Sequence, residues 1–447
     1  MTDHAVPKLV TTNMAVLTPK FPDHSSPFSR EQERRHKETA LLSAAAKRFD
    51  AEGVHATRLE DIAADLGLTK TSIGYYHASK EDLAAAVYGQ SADFLDEAVT
   101  FAMASDGHCR DKLLALFQRF SGQLIEVKQG LRPHLATIND LDALGEGART
   151  DIASQLSVSV ARVNELVVGW AAEEKIELGR PQPATFFVIG LLDLMTGWLN
   201  RKRHFDIEDA SASLCDLLRH GLLNGPWTPL SIRPGSPQIG VPQIFDRETR
   251  NRMKREAFLR AGTRFFNKLG FGGVALVEVA ASLGVTRGAF YYHFPDKEQL
   301  LDQCLEATLS DVEDALDRAE AESDVGLEII EHALRDLTYQ QASGVTPLLR
   351  PSLASALPAA RQRRHAARLR NIARRFGDAL ESGISHGEAR QVDVAIVEQI
   401  LTNAIFINGG YTIAAANSFT DWRLSEDPLT ATIDYTHLLM MGLEPRS

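Results

Sequence analysis

The chain has 447 residues, with 48 Lys+Arg against 59 Asp+Glu and a formal net charge of −11. That length exceeds one ordinary core and implies several domains, while the acidic balance excludes a polycation that coats nucleic acid over its whole surface. Three scattered cysteines, Cys109, Cys215 and Cys304, supply neither a disulfide framework nor a CxxC metal motif, which suits a reducing compartment.

No apolar run reaches the ~18 residues that a membrane span needs. The longest, Ala184 to Leu199, is interrupted by Asp193 and Gly197. The N-terminal stretch lacks a charged start followed by an apolar segment. A cytoplasmic protein without membrane contact is expected.

Residues 1–28 carry Pro7, Pro19, Pro22 and Pro27 without a helical period and read as a disordered tail. Ser29 to Gln32 has the spacing of a capping box and opens a helix with Ala40, Leu41, Ala44, Ala45 and Phe49 on one face, ending near Gly53. Thr57 to Glu60 is a second such box, followed by Leu59, Ile62, Ala63 and Leu66 at helical spacing. Gly67 then makes a turn, Thr69 caps a short helix, and Ser79 caps a longer one. This is a helix-turn-helix grammar, and residues 29–90 form the first such domain.

The same grammar recurs 217 residues later. Residues 49–83 align on 266–300 without a gap and share twelve of 35 positions, among them Gly53/Gly270, Gly67/Gly284, Thr69/Thr286, Tyr75/Tyr292 and Lys80/Lys297. A duplicated module at 246–304 follows. Behind each copy lies a helical stretch, 91–225 and 305–447, with no period-2 runs. A Pro/Gly/Ser-rich linker, 226–245, separates the halves. The fold class is therefore all-α, in two tandem units.

A recognition helix that enters the ~12 Å major groove needs small or hydrogen-bonding side chains outside and apolar ones behind. In the second copy Arg287, Ala289, Tyr291 and His293 are expected to face outward, with Val285, Phe290 and Phe294 inward. Arg287 suits guanine or phosphate, and Tyr291 and His293 suit phosphate oxygens. The capped start of the next helix, with Lys297, is a further phosphate site. The first-copy equivalents are Lys70, Thr71, Ser72, Tyr75 and Lys80. Arg58, Thr69, Tyr76, Thr286, Gly288 and Tyr292 complete the candidate DNA-contacting set. Tyr75 and Tyr292 are expected to pack at least partly, and Tyr291 to be exposed.

Arg361, Arg363, Arg364, Arg368, Arg370, Arg374 and Arg375 form a basic run around one helix, read as a solvated face that pairs with the acidic body. Trp170, Phe187, Trp198, Phe406 and Tyr411 are candidates for a ligand wall, against the simpler reading of core. No nucleophile triad, metal spacing or phosphate-cradling loop stands out, so no enzyme, metal or cofactor is expected.

Leu283 to Leu300 (LGVTRGAFYYHFPDKEQL) resembles the DNA-binding module of TetR-family transcriptional regulators almost throughout. Residues 66–81 resemble it with departures: Gly74 stands where the family has a phosphate-contacting tyrosine, Tyr76 where His293 stands, and His77 where an apolar residue stands. The resemblance implies an α-helical ligand-binding and dimerisation domain behind each module. It also implies double-stranded DNA as a partner and repression released by a small-molecule effector of unknown identity. An alternative is an interaction protein that kept the duplicated fold while operator binding weakened or was lost in copy one.

Family members dimerise through their last two helices. The candidates here are 184–200 with 207–222, and 392–415 with 429–443. Half-sites on one DNA face lie ~34–36 Å apart, and the twenty-residue linker spans at most about 66–72 Å. An intrachain pseudo-dimer is thus favoured over a homodimer.

Overall fold

The computed structural model describes residues 27–138, 140–200, 206–230, 247–406 and 427–444. The first half comprises α1 (Pro27–Ala56), α2 (Leu59–Asp65), α3 (Lys70–Gly74), α4 (Lys80–Ala104), α5 (Cys109–Lys128), η1 (Leu141–Ala143), α6 (Glu146–Glu173), α7 (Pro181–Gly197), η2 (Trp198–Asn200) and α8 (Ile207–His220). The second comprises α9 (Arg247–Gly273), α10 (Leu276–Ser282), α11 (Arg287–His293), α12 (Lys297–Glu322), α13 (Gly326–Ala342), η3 (Pro351–Ala356), α14 (Ala359–Ser385), α15 (Val394–Ala404) and α16 (Pro428–Met441). The fold is all-α. Among the described residues the one β-type contact is an isolated bridge between Leu223 and Ala389, and no helix is long and apolar enough to cross a membrane.

Local chemistry explains most helix starts. Thr69 and Thr286 accept from the backbone N–H of Ser72 and Ala289, Ser79 from Asp82, and Asp296 from Gln299, each satisfying an orphan donor of a first turn. Two expected caps fall elsewhere. Helix α1 already begins at Pro27, so Ser29 lies inside its first turn. Thr57 donates its hydroxyl back to the Gly53 carbonyl at 2.7 Å, and Arg58 takes the N-cap position of α2 without a side-chain bond.

Helices α4 and α12 each run from a helix-turn-helix module into the bundle behind it, so the expected boundaries near 90 and 304 fall inside continuous helices. Helix α7 is apolar almost all round, with Phe186, Phe187, Val188, Ile189, Leu191 and Leu192 buried, as a fully enclosed helix must be. It packs on α6 in its own half and on α15 and α16 of the other, while α8 also meets α15 and α16. One hydrophobic core therefore runs from Leu41 through both halves to Leu443. The second module keeps a separate small core around Phe258, Phe266, Phe290 and Phe294.

Where α8 and α16 end, the halves exchange the same hydrogen bonds in both directions. The Leu222 N–H donates to the Leu439 carbonyl at 2.9 Å, and the Leu443 N–H to the Leu218 carbonyl at 2.7 Å. Gly221 (φ 64°) and Gly442 (φ 74°) touch back to back, and a Cβ on Gly442 would collide with the Gly221 backbone nitrogen. The start of the expected linker is docked across this seam. Trp227 meets the His437 ring at 5.5 Å, and Leu230 N–H donates to Glu331 Oε1 at 2.9 Å. Residues 231–245 of that linker, residues 1–26 of the tail, and 407–415 of the expected helix lie outside the described residues.

Candidate nucleic-acid interface

Each module is built from a buried anchor outward. In the second, Phe290 and Phe294 are fully buried, and Phe290 meets the Phe258 ring at 5.0 Å. In the first, Ile73 is the fully buried counterpart. The turn glycines Gly67 and Gly284 adopt φ 65° and 64°, left-handed backbone that a side chain would strain.

The anchor at Phe290 sets which face of α11 points out. At 100° per residue, Tyr291 falls beside the anchor and Tyr292 opposite it. Tyr292 is accordingly 87% exposed and Tyr75 78%, which corrects the expectation that these two pack. Tyr291 is half-buried against the module's core instead of fully exposed, and the Arg287 guanidinium lies 5.1 Å from its ring centroid. His293 is also half-buried, 5.3 Å from the Phe258 ring. The outward surface of copy two is thus Thr286, Arg287, Gly288, Ala289 and Tyr292.

In copy one Arg58, Thr69, Lys70, Thr71, Gly74 and Tyr75 are exposed, with Ser72 and Tyr76 half-buried. Tyr75 stands edge-on to Tyr76 at 5.3 Å. Lys70 is paired with Glu60 at 2.8 Å, whereas Arg287 has no acidic partner among the described residues. Burial of His77, where copy two has Phe294, pushes its imidazole below the usual range.

The two lysines expected at the phosphate site do something else first. Lys80 Nζ donates to the carbonyls of His55 and Thr57 at 2.9 and 3.1 Å, and Lys297 Nζ to the Gly272 carbonyl at 3.2 Å. Lys297 also sits 4.5 Å from the Phe271 ring centroid, and burial lowers its pKa. Both brace the end of the first helix of their module. The identical 25-residue spacing to the carbonyl they share, His55 and Gly272, is the signal in the sequence that goes with this role.

The basic run on α14 is largely paired with α12. Asp302 faces Arg361, Arg364 and His365, Glu306 and Glu313 face Arg368, and Asp317 and Glu320 face Arg375. Glu313 and Glu306 hold the Arg368 guanidinium above its ordinary pKa.

The family model for bacterial regulatory proteins of the tetR family matches this chain twice, over residues 41–87 and 258–304. The chain thus carries the module described by that family model in both halves. Over 57 residues it is 49% identical to the HTH-type transcriptional regulator RutR of Escherichia coli K12, covering 13% of this chain and 27% of RutR. Over 60 residues it is 38% identical to the class C tetracycline repressor protein of Escherichia coli, again 13% and 27%. Over 48 residues it is 42% identical to the uncharacterized regulator YerO of Bacillus subtilis, 11% and 17%. These stretches span under a third of the relatives' own lengths. Among solved structures, the TetR-family regulator PfmR of Thermus thermophilus aligns with 40% of this chain and 95% of its own, at 19% identity and a TM-score of 0.32.

The aromatic candidates for a ligand wall are packed. Trp170 is fully buried and its Nε1–H donates to the Leu443 carbonyl of the other half at 2.9 Å. Phe187 meets the Tyr435 ring at 5.6 Å, again across the seam. Trp198 is fully buried and Phe406 half-buried in the main core, and Tyr411 lies outside the described residues. A group that sequence reasoning missed is Gln123 of α5. Its side chain is fully buried, with neither amide atom hydrogen-bonded among the described residues.

Proposed function

We propose that this chain is a sequence-specific DNA-binding transcriptional regulator that acts as an intrachain pseudo-dimer and as a repressor released by a small molecule. The observation that carries the reading is the seam: α7 and α8 pack on α15 and α16 of the same chain, with backbone bonds exchanged reciprocally, as an isologous two-fold interface requires. Two recognition helices then belong to one polypeptide. Arg287 and Tyr292 of copy two, and Lys70, Thr71 and Tyr75 of copy one, supply the outward groups for bases and phosphates. Lys80 and Lys297 position their modules and present the capped starts of α4 and α12 to phosphate.

The reading is of binding and not of catalysis, in the cytoplasm. An effector is supported by the buried amide of Gln123, a polar group that an apolar core leaves costly unless something pairs with it. The unequal modules imply an asymmetric operator. Footprinting on duplexes enriched from a random library is expected to protect two unlike half-sites, and protection of a perfect palindrome would overturn the pseudo-dimer of unequal readers.

A second reading has its own support. Lys70 is held by Glu60 and Gly74 leaves no side chain where Tyr291 stands, which makes copy one a scaffold with weak operator contact. A duplex bearing only the copy-two half-site separates the two: full affinity for it favours the second reading.

A further inference from the structure

The two modules are in contact with each other, not only with the bundles behind them. Their first helices kink at equivalent glycines, Gly53 (φ 78°) and Gly270 (φ 68°). A single segment of the first half reaches both. Asp140 Oδ2 accepts from the Val54 N–H at 2.9 Å, where a Cβ on Gly53 would come within 3.1 Å of it. Two residues on, Asp142 Oδ2 accepts from the Gly273 N–H of the other module at 2.7 Å. There a Cβ on Gly270 would collide with the Asp142 carboxylate. Only glycine permits that seat.

The contact is closed by residues from both halves. His55 Nε2 lies 3.2 Å from Asp142 Oδ2, and a Cβ on Gly272 would strike the His55 ring. Around His55 stand Asp142 and Asp140, which favour its charge, and Lys80, which opposes it. Arg350, buried just before η3 in the second half, is bonded to Asn267 and feels Asp140 and Asp142. The packing is reciprocal: η1 of the first half rests on α9, and η3 of the second on α1.

We infer that Asp140 and Asp142 form a clasp that holds the two modules at one separation, making Asp142 and His55 determinants of the half-site spacing the protein accepts. This rests on the DNA-reading function proposed above. A flexible pair of readers tolerates several spacings at similar affinity, because each module finds its half-site independently. A clasped pair must distort itself or the DNA to meet any spacing but one.

The test is selection from duplexes carrying the two half-sites at graded spacings, by the full chain and by Asp142→Ala and His55→Ala. The second variant truncates a side chain that is 40% exposed, so it keeps the experiment informative if the first does not fold. The wild type is expected to enrich one spacing, and discrimination between spacings is expected to fall about tenfold in each folded variant, the size of an ordinary coupling between sites. Variants that fold, bind, and keep the wild-type preference overturn the clasp while leaving the DNA-reading function intact. A wild type that enriches no duplex overturns that function, and the spacing role with it.

Discussion

His437 shows how a single half-buried side chain ties the halves together. Its ring lies 6.0 Å from Trp170 and 5.5 Å from Trp227, one in the first half and one in the segment that leaves it, and burial pushes its pKa down to about 4. Free histidine titrates near 6.5. Between those values the unfolded chain takes a proton that the folded ring refuses, so this group's stability is full above pH 6.5 and declines as pH falls toward 4. His134 behaves likewise, pushed to about 4 by burial and then by Lys47. Asp50, Asp311 and Asp434 oppose them: burial raises each from 3.8 to about 6, so their contribution is present below 3.8 and lost as pH rises through 6. The global curve sums both sets, so the ring itself is the measurement. Its proton NMR shift is expected to titrate with a midpoint near pH 4, and a midpoint near 6.5 would show that the seam around it is open.

At the level of one helix, α3 and α11 are equivalent in sequence and unequal in equipment. Arg287 stands over Tyr291 without an acidic partner among the described residues, and this aligned guanidinium is suited to bidentate contact. Lys70 must first leave Glu60. Arg287→Ala is therefore expected to weaken operator binding by ~1–3 kcal/mol, the worth of a good base contact, and Lys70→Ala by well under that. A gel-shift titration of both variants at one salt concentration checks it, and equal losses would remove the case for copy two as the stronger reader. The helices and turn of both modules were legible, as were the caps at Thr69, Ser79 and Thr286, because capping and turn residues act within four positions of the chain; Ser29 and Thr57 do not cap. The outward tyrosine is misplaced in the sequence reading: with Phe290 inward, 100° per residue puts Tyr292 and not Tyr291 opposite the anchor, as the exposure of Tyr292 shows.

At the scale of the whole molecule, the seam packs the two halves against each other. Helix α7 is already covered by α6, α15 and α16, and the glycines that end α8 and α16 touch each other. The faces of α7 and α8 that meet α15 and α16 are thus covered within this chain. Sedimentation of the free protein is expected to give a single 49.1 kDa species; a species of twice that mass across micromolar concentrations would mean that the four helices exchange between chains.

The pair of modules, the all-α class and the long apolar α7 were all readable from the residues alone. Each of these is written in a local period, a cap, a glycine turn or a repeat. Packing of the folded chain was needed to show that α7 and α8 meet α15 and α16 of the same chain, that Lys80 and Lys297 brace helix ends, and that one Asp-Leu-Asp segment grips both modules. Asp142 and Gly273 are 131 residues apart, and no local pattern marks a hydrogen bond whose two ends meet only when both halves have folded.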